Sequence, residues 1–269
     1  MKIIFIGDIT GRPGRRAIRE LVPELRAEFK PDLIIANGEN MAAGAGLTVP
    51  TYQEVLENGV DFLTSGDHIW DKTDIFPILE TKSEKLIRPA NYPERDPGRG
   101  YEDVAVGKNR VRIINLMGNV FMRANLVSPF VLVDHILSTP DCPKIVLIDF
   151  HAEATSEKIA FSYYVDGRVS AVLGTHTHVQ TNDARILAGG TAALTDVGMT
   201  GPADGVIGAD KQVIVESYLT QMPWKYEIAD GSVELSAVYL ELDESTGKAT
   251  KIELIKKQLK ATEQASLAD

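Results

Sequence analysis

The stretch IIFIGD, residues 3–8, begins the pattern that decides the fold. It is a run of apolar and β-branched residues, too short for a helix, and it ends in glycine and aspartate. It therefore predicts a buried strand with a polar residue at its end. Four later stretches repeat this pattern: LIIANGEN (33–40), FLTSGDH (62–68), IVLIDFH (145–151) and AVLGTHTH (171–178).

Residues that can bind metal ions stand at the ends of these five runs. Ligands of open α/β sheets bind at the carboxyl ends of the strands, so the sheet itself would gather these side chains. Carboxylates, an amide and histidines are enough for two metal ions, which predicts a binuclear metallohydrolase. The alternative is a set of ordinary polar residues at strand ends. The residues concerned are Asp8, Glu39, Asn40, Asp67, His68, His151, His176 and His178.

The two histidines of the last stretch, His176 and His178, are separated by one residue and come directly after a predicted strand. The His-Thr-His segment is expected to bend there, so that both rings are aimed at one site. An isolated His-Thr-His motif is weak evidence for a metal site. It becomes strong evidence here because the other strand-end residues accompany it.

Composition limits the partners and the compartment. The chain has 269 residues and a formal net charge of −10, which argues against a duplex nucleic acid as a partner and leaves a small anionic substrate open. Cys142 is the one cysteine, so a disulfide framework is excluded and a cytoplasmic location is expected. No signal peptide or membrane span is expected, and a homo-oligomer stays open.

The remaining pattern predicts one domain over residues 1–255, with two packed sheets and outer helices, and a frayed polar tail over 256–269. The first two-thirds reads as parallel β-α-β, and the last third as antiparallel and edge-like. Segment 198–205 reads as a loop, which could shape the substrate pocket or serve only as a connection. WKYEIAD (224–230) and VELSAVYLEL (233–242) read as paired strands, followed by a last strand at 249–255. Helices are expected near 13–29, 50–59, 73–80, 127–138, 154–165 and 210–220, and hairpins at 101–118 and 184–196.

Several blocks resemble a known family. GD (7–8), GEN (38–40), G-x-H (66–68) and GTHTH (174–178) resemble the signature blocks of calcineurin-like metallophosphoesterases. The similarity to the YmdB-type bacterial cyclic-nucleotide phosphodiesterases is greater still and spans about residues 1–255. It is carried by GDITGRPGR (7–15), NGENMAAGAGL (37–47), DFHAEATSEK (149–158), GTHTHVQT (174–181) and TDVGMTGP (195–202).

This resemblance implies an α/β fold arranged as a four-layer α-β-β-α sandwich, with two iron or manganese ions as cofactors. Carried over residue by residue, it places Glu39 between the two ions and His68 as the general acid. The other ligands would be Asp8, Asn40 and His178 for one ion, and Asp67, His151 and His176 for the other.

Two positions depart from the family pattern. The wider superfamily begins with D-x-H, whereas this chain has Asp8-Ile9-Thr10, so Asn40 is expected to replace the missing ligand. The chain also has Gly66-Asp67-His68 where the family usually has G-N-H. Asp67 adds a negative charge, which would bind metal more tightly but make it less electrophilic, or favour a more highly charged ion.

The expected reaction is hydrolysis of a small nucleotide phosphodiester by a metal-bound hydroxide, with His68 protonating the leaving oxygen. The expected substrates are 2′,3′-cyclic nucleotides, with 3′,5′-cyclic AMP and GMP as further candidates. One alternative is a phosphatase for phosphomonoesters or phosphoproteins that uses the same metal pair. Another is a regulatory protein that senses a nucleotide without turnover, against which the presence of a general acid argues.

Other residues are weighed as secondary candidates. Asp196 could orient one of the two histidines, whereas Asp149 is expected to point away from the site. Trp70 and Tyr92 could stack on a base, although packing at the core or rim is the favoured interpretation. Arg12, Arg15 and Arg16 could meet a substrate phosphate beside Asp8, although a solvated helix face is the favoured interpretation. Thr155 or Ser156, with the adjacent acidic residues, is expected to cap a helix, and a role in fixing a histidine ligand is the alternative.

Overall fold

The structure, a computed structural model, describes residues 1–81, 85–124, 126–223 and 225–259. Its helices are α1 (Gly11–Phe29), α2 (Val49–Glu57), α3 (Phe76–Glu80), α4 (Pro129–Leu137), α5 (Thr155–Tyr164) and α6 (Lys211–Thr220). Short 3-10 turns cover Asp67–Trp70 and Thr73–Ile75. Within the described ranges, no helix is both long enough and apolar enough to cross a membrane.

The strands form two sheets. They are β1 (Lys2–Ile6), β2 (Asp8–Ile9), β3 (Leu33–Asn37), β4 (Phe62–Thr64), β5 (Tyr101–Val106), β6 (Asn109–Met117), β7 (Ile145–His151), β8 (Ala171–Thr175), β9 (Arg185–Ile186), β10 (Ala192–Leu194), β11 (Met199–Pro202), β12 (Val233–Leu242) and β13 (Ala249–Leu259). The first sheet has the order β2-β11-β12-β1-β3-β4, with β13 also paired to β12. The second has the order β5-β6-β7-β8-β10-β9.

Each sheet has a parallel part, and in the second sheet it includes β10 from the last third of the chain, which was predicted to be antiparallel. In the first sheet β1, β3 and β4 are parallel neighbours, and in the second β6, β7, β8 and β10 are. Both predicted hairpins are present, as β5 with β6 and as β9 with β10. The carboxyl ends of five strands therefore carry the polar residues described above, three from the first sheet and two from the second.

Alternation along the strands sorts the apolar residues into three cores. Ile3 and Phe5 pack between the two sheets, whereas Ile4 and Ile6 pack against α1 and α2 on the outer face of the first sheet. In the second sheet the inner residues of β7 join the central core, and its outer residues pack against α4 and α5. The layers are thus helix, sheet, sheet and helix, and the expected four-layer α-β-β-α sandwich is confirmed.

The C-terminal third differs from the prediction in its pairing. Strand β12 is not an edge strand, because it lies between β1 and β11 on one side and β13 on the other. No partner position is then left for a second strand over 225–230, which makes only an isolated bridge from Ile228 to Ala209. Trp224 of that predicted strand lies outside the described residues.

Two further boundaries are corrected. The predicted loop 198–205 contains β11, which pairs in parallel with β2 and antiparallel with β12. The last strand, predicted to end at 255, continues to Leu259, so the first residues of the predicted polar tail pair with β12. Residues 260–269 of that tail lie outside the described part of the chain.

Candidate metal centre

The eight residues expected at the strand ends lie together at the carboxyl edge of the two sheets. This arrangement follows from the topology, because the parallel strands of both sheets end at this edge. Asp8 begins β2, Glu39 and Asn40 follow β3, Asp67 and His68 open the 3-10 turn after β4, His151 ends β7, and His176 and His178 follow β8. Each sheet thus contributes part of the cluster.

Four side chains form a first group, which we call group A: Glu39, Asp67, His151 and His176. One ligand atom from each lies within 4.8 Å of the others. His151 Nε2 is 3.1 Å from Glu39 Oε2, 3.1 Å from Asp67 Oδ1 and 3.0 Å from His176 Nδ1. Carboxylates mixed with imidazoles are a donor set suited to iron, manganese or zinc.

A second group, group B, shares one member with the first. It consists of Asp8, Glu39 and His178, whose ligand atoms also lie within 4.8 Å of one another. Asn40 lies against this group, with its Nδ2 2.8 Å from Glu39 Oε1 and 3.2 Å from His178 Nε2. Glu39 therefore stands between the two groups, as the family resemblance implies.

Two buried oxygen atoms, one on Asp8 of group B and one on the adjacent Asn40, favour a cation there. Neither Asp8 Oδ1 nor Asn40 Oδ1 makes a hydrogen bond within the part of the chain that the structure describes. A buried polar atom without a partner is costly, and a bound cation would give Asp8 Oδ1 one. Rotating the Asn40 amide by 180° would exchange its oxygen and nitrogen and bring the oxygen beside His178 Nε2. The residues present thus fit a metal ion.

The histidines of both groups are oriented through their second ring nitrogen. His151 Nδ1 is 2.9 Å from Thr175 Oγ1, and His178 Nδ1 is 2.9 Å from the carbonyl oxygen of Ile207. His176 Nε2 is 3.3 Å from the Glu153 carboxylate. A histidine whose outer nitrogen donates to an oxygen presents its inner nitrogen as a ligand, which is the usual arrangement around protein-bound metals.

The pKa values of the residues in group A also fit a metal site. Burial lowers the pKa of His151, but Glu39, Asp67 and Asp8 raise it by more, so its pKa is well above the usual value. Burial raises the pKa of Asp67 and Glu39, but the adjacent histidines outweigh it and both pKa values fall. The carboxylates thus hold a proton on His151, and metal binding would displace that proton.

A polar network behind His151 corrects one expectation. Asp149 was expected to point away from the site, but its Oδ1 accepts a hydrogen bond of 2.6 Å from Thr175 Oγ1. Because this hydroxyl donates to Asp149, it must accept from Nδ1 of His151, which leaves Nε2 facing group A. The other oxygen of Asp149 accepts from Asn37 and Thr64. Burial raises the pKa of Asp149 to about 6.

The His-Thr-His segment bends, as expected. His176 and His178 adopt left-handed backbone angles, with φ of 99° and 66°. Asp196 lies beneath this turn and accepts hydrogen bonds from Thr177 N (3.1 Å) and Thr177 Oγ1 (2.7 Å). It therefore positions both histidines through the residue between them, rather than contacting either ring.

A buried lysine that the sequence analysis missed completes this support. Lys158 Nζ lies 2.7 Å from Asp196 Oδ2 and 2.7 Å from the carbonyl oxygen of Thr175. Lys158 is 2% exposed, and such residues are almost never buried unless they are paired. Its position at the end of DFHAEATSEK, in the first turn of α5, was the available signal.

Gly66 has no side chain, and the space this leaves is occupied by atoms of group A. A Cβ atom at this position would overlap Glu39 Oε2 and His151 Nε2. The glycine in the Gly-Asp-His block is therefore required by its close approach to Glu39 and His151. No side chain larger than hydrogen fits without displacing them.

His68 belongs to neither group. Its ring is about one-third exposed, and Nδ1 lies 2.8 Å from Asp71 Oδ2. Burial lowers the pKa of His68, but Glu39, Asp71 and Asp67 raise it by more, so it lies above the usual value. This placement beside group A, with one nitrogen held by Asp71, fits a proton donor better than a metal ligand.

Several secondary candidates have structural roles. Trp70 and Tyr92 pack edge to face, with ring centroids 5.2 Å apart, as the packing interpretation expected. Arg15 does not lie on a purely solvated face, because it donates to the Met41 carbonyl in the loop after Asn40. Helix α5 has no side-chain cap from Thr155 or Ser156, since Ala154 is its N-cap residue.

Comparison with known proteins identifies the family. The model of the YmdB-like protein family matches residues 4–255. This chain belongs to the YmdB-like family. A Bacillus subtilis (strain 168) relative, named 2′,3′-cyclic-nucleotide 2′-phosphodiesterase, is 46% identical over 260 residues, covering 95% of this chain and 96% of the relative.

Two solved structures have the same fold as this chain. A hypothetical protein from Thermus thermophilus is 40% identical with a TM-score of 0.90, over 96% of this chain and 99% of that one. A protein from Mycoplasma pneumoniae, described as a novel phosphatase, is 34% identical with a TM-score of 0.91, over 97% of this chain and 94% of that one. The family and the calcineurin-like metallophosphoesterase fold implied by the sequence blocks are thereby confirmed.

Proposed function

We propose that this protein hydrolyses cyclic nucleotide phosphodiesters at a centre that holds two metal ions. The observation that carries the proposal is the pair of ligand groups that share Glu39. The name of the Bacillus subtilis relative supports 2′,3′-cyclic nucleotides as the first substrate class, and 3′,5′-cyclic AMP and GMP are further candidates. The proposal includes a cytoplasmic location, for which the lone Cys142 is the support.

The ligand assignment follows the two groups. Asp8, Asn40 and His178 would hold one ion, and Asp67, His151 and His176 the other, with Glu39 in contact with both. Iron and manganese are the proposed ions, because this mixture of carboxylate and imidazole suits them. When bound, two such ions act as Lewis acids on the phosphate oxygens and lower the pKa of water.

The remaining chemistry belongs to the side chains. Asp71 accepts from Nδ1 of His68, which leaves Nε2 to carry a proton toward the leaving oxygen of the ester. The raised pKa of His68 favours its protonated form, which a general acid needs. The rings of His151, His176 and His178 are held in place by Thr175, Glu153 and the carbonyl oxygen of Ile207, respectively. Little reorganisation is then needed when a phosphodiester binds.

A phosphatase is the second candidate, since the Mycoplasma pneumoniae structure is described as one. The same donor groups serve monoesters and diesters, so the fold alone does not separate the two activities. Four substrates separate them: 2′,3′-cyclic AMP, 3′,5′-cyclic AMP, bis(p-nitrophenyl) phosphate and p-nitrophenyl phosphate. The proposal expects the highest kcat/KM for 2′,3′-cyclic AMP, and a preference for the monoester would favour the phosphatase.

The decisive experiment couples metal content to turnover. Purified protein is assayed for metal by mass spectrometry, and hydrolysis of 2′,3′-cyclic AMP is measured before chelation, after chelation and after adding back manganese or iron. We expect two metal ions per chain and activity that is lost and restored with them. Tight nucleotide binding by the metal-loaded protein without turnover would instead identify a nucleotide-sensing regulator.

A further inference from the structure

The loop after β6 leaves the sheet beside the candidate metal centre. Strands β6 and β7 are parallel, and Met117 at the end of β6 is level with His151 at the end of β7. The next residue, Gly118, donates its backbone N–H to the carbonyl oxygen of His151 at 3.0 Å. Phe121 follows three residues later, so its backbone lies within about 11 Å of that hydrogen bond by chain length alone.

The beginning of this loop is held by a buried carboxylate. Glu157 on α5 accepts hydrogen bonds from the backbone N–H groups of Asn119 at 3.0 Å and Val120 at 3.1 Å. A Cβ on Gly118 would lie 2.5 Å from Glu157 Oε2 and 2.6 Å from the Ala152 side chain, so the approach requires glycine. Glu157, one of the acidic residues expected at the cap of α5, therefore fixes the position of the residues just before Phe121.

A second side chain ties the two ends of the loop together. Asn91 accepts from Met117 N at 2.9 Å, and its amide group donates to the carbonyl oxygens of Met117 at 2.7 Å and Val127 at 3.2 Å. The segment that carries Phe121 is thus anchored at both ends, at Met117 and at Val127.

Phe121 itself is presented to solvent. Its side chain is 85% exposed, the largest exposed fraction among the large apolar residues described. Its φ is 64°, a left-handed conformation that is rare for a bulky residue. Strained residues of this kind cluster at functional sites. Trp70 and Tyr92, the aromatic residues that the sequence pointed to, already pack against each other.

We propose that Phe121 stacks on the nucleobase of the substrate while the phosphate lies at the metal centre. This inference rests on the proposed function, and it adds a base-binding position to it. An aromatic ring stacks on any base because every base has a π face, so the contact would bind nucleosides without selecting among them. The ring lies outside the ligand groups, so its contribution is to substrate binding and not to the bond that breaks.

The proposal can be tested by comparing the kinetics of substrates with and without a nucleobase. Phe121→Ala is expected to raise KM for 2′,3′-cyclic AMP about 5- to 150-fold with little change in kcat, as expected for lost binding energy that is equal in substrate and transition state. For ribose 2′,3′-cyclic phosphate, which carries no base, the fold increase in KM should be at least five times smaller than for 2′,3′-cyclic AMP. Phe121→Trp should restore the KM for 2′,3′-cyclic AMP. Tyr163→Ala, an exposed aromatic residue at the far end of α5, is the matched control and should change neither KM.

Direct binding tests the same contact without turnover. In Phe121→Trp, adenosine 3′-phosphate should quench the added tryptophan fluorescence and ribose phosphate should not, with the wild-type protein as the background. Equal KM changes for the two esters, or quenching no greater than in the wild-type protein, would overturn the stacking role. If the wild-type protein hydrolyses no cyclic nucleotide, the proposed function fails, while the quenching result still decides whether Phe121 contacts a base.

Discussion

Glu39 is the residue on which both ligand groups depend. It is 1% exposed, and its two carboxylate oxygens face different neighbours, with Oε1 toward Asn40 and Oε2 toward His151. Glu39→Gln should therefore lose at least one of two bound ions and lower kcat/KM by more than about 100-fold, since even residues behind the ligands cost 10–100-fold. Metal analysis and turnover of the same preparation check this. Glu24→Gln, on the exposed face of α1, is the control, and two ions with full activity in Glu39→Gln would contradict the shared-ligand role.

A variant of His68 distinguishes a role in the reaction from a role in metal binding. Because it lies outside both groups, His68→Ala should keep the wild-type metal content while kcat falls by about 10²–10⁴-fold. The loss should be greater for an alkoxide leaving group than for p-nitrophenolate, which needs little protonation. His135→Ala on the surface of α4 should retain full activity. Metal loss from His68→Ala would make His68 a ligand and place the general acid elsewhere.

Asp67 is the residue that most distinguishes this chain from the family pattern. Its Oδ1 faces His151 and His176 directly, so an ionised carboxylate would add a charge to group A. Asp67→Asn removes that charge, and metal should then be stripped at a lower chelator concentration. The alkaline-rising limb of the pH–rate profile should move to lower pH, because a less negative site lowers the pKa of water bound there. Chelator titration and pH–rate profiles that match the wild type would show that Asp67 is not an anionic ligand.

The individual residues show how much of the candidate site can be predicted from the sequence. Each of the eight strand-end residues could be found because it follows an apolar run, and the structure brings all of them together, although their roles in metal binding remain predictions. Asp149, Glu157 and Lys158 could not be assigned in the same way. Their roles depend on Thr175, on the backbone of Asn119 and on Asp196, which lie far away along the chain and meet them only in the folded protein.

At the scale of elements, the turn after β8 depends on helix α5. The buried pair of Lys158 and Asp196 joins the helix to the turn that carries His176 and His178. Removing one partner of a buried ion pair leaves the other charge uncompensated, so Lys158→Met should lower the free energy of unfolding by about 3–5 kcal/mol. Metal content should fall with it.

Denaturant unfolding, followed by metal analysis of the folded fraction, measures both effects. Lys251→Met is the control, since Lys251 pairs with Glu253 on the surface, where both side chains are about half exposed, and should leave the stability nearly unchanged. A Lys158→Met protein as stable as the control would show that Asp196 does not need its cation.

The elements also show where pattern reading fails. Parallel strands were identifiable because burial on both faces gives continuous apolar runs. Strand β11 was missed because Met199–Pro202 is short and contains glycine and proline, and its pairing is decided by β2 and β12. The segment 225–230 alternates like a strand, but the positions beside β12 are already taken.

At the scale of the whole molecule, the candidate centre joins the two sheets. Group B comes from the first sheet and the turn after β8, and group A combines Glu39 and Asp67 of the first sheet with His151 and His176 of the second. Bound ions would therefore cross-link both halves of the sandwich while neutralising three buried or half-buried carboxylates. Ligands that bind only the folded state stabilise it by mass action, by about 2.7 kcal/mol at a concentration 100 times Kd.

Removing metal should consequently lower the Tm by roughly 5–10 °C, since about 1 kcal/mol corresponds to 2–4 °C in a protein of this size. Differential scanning calorimetry of chelated protein, with and without added manganese, measures the shift. Glu39→Gln should lose most of it, because that variant removes the one ligand common to both groups, whereas Glu24→Gln should keep it. An equal manganese-dependent shift in all three proteins would mean that the ion binds elsewhere, and that the two sheets are held together by their apolar core without help from the centre.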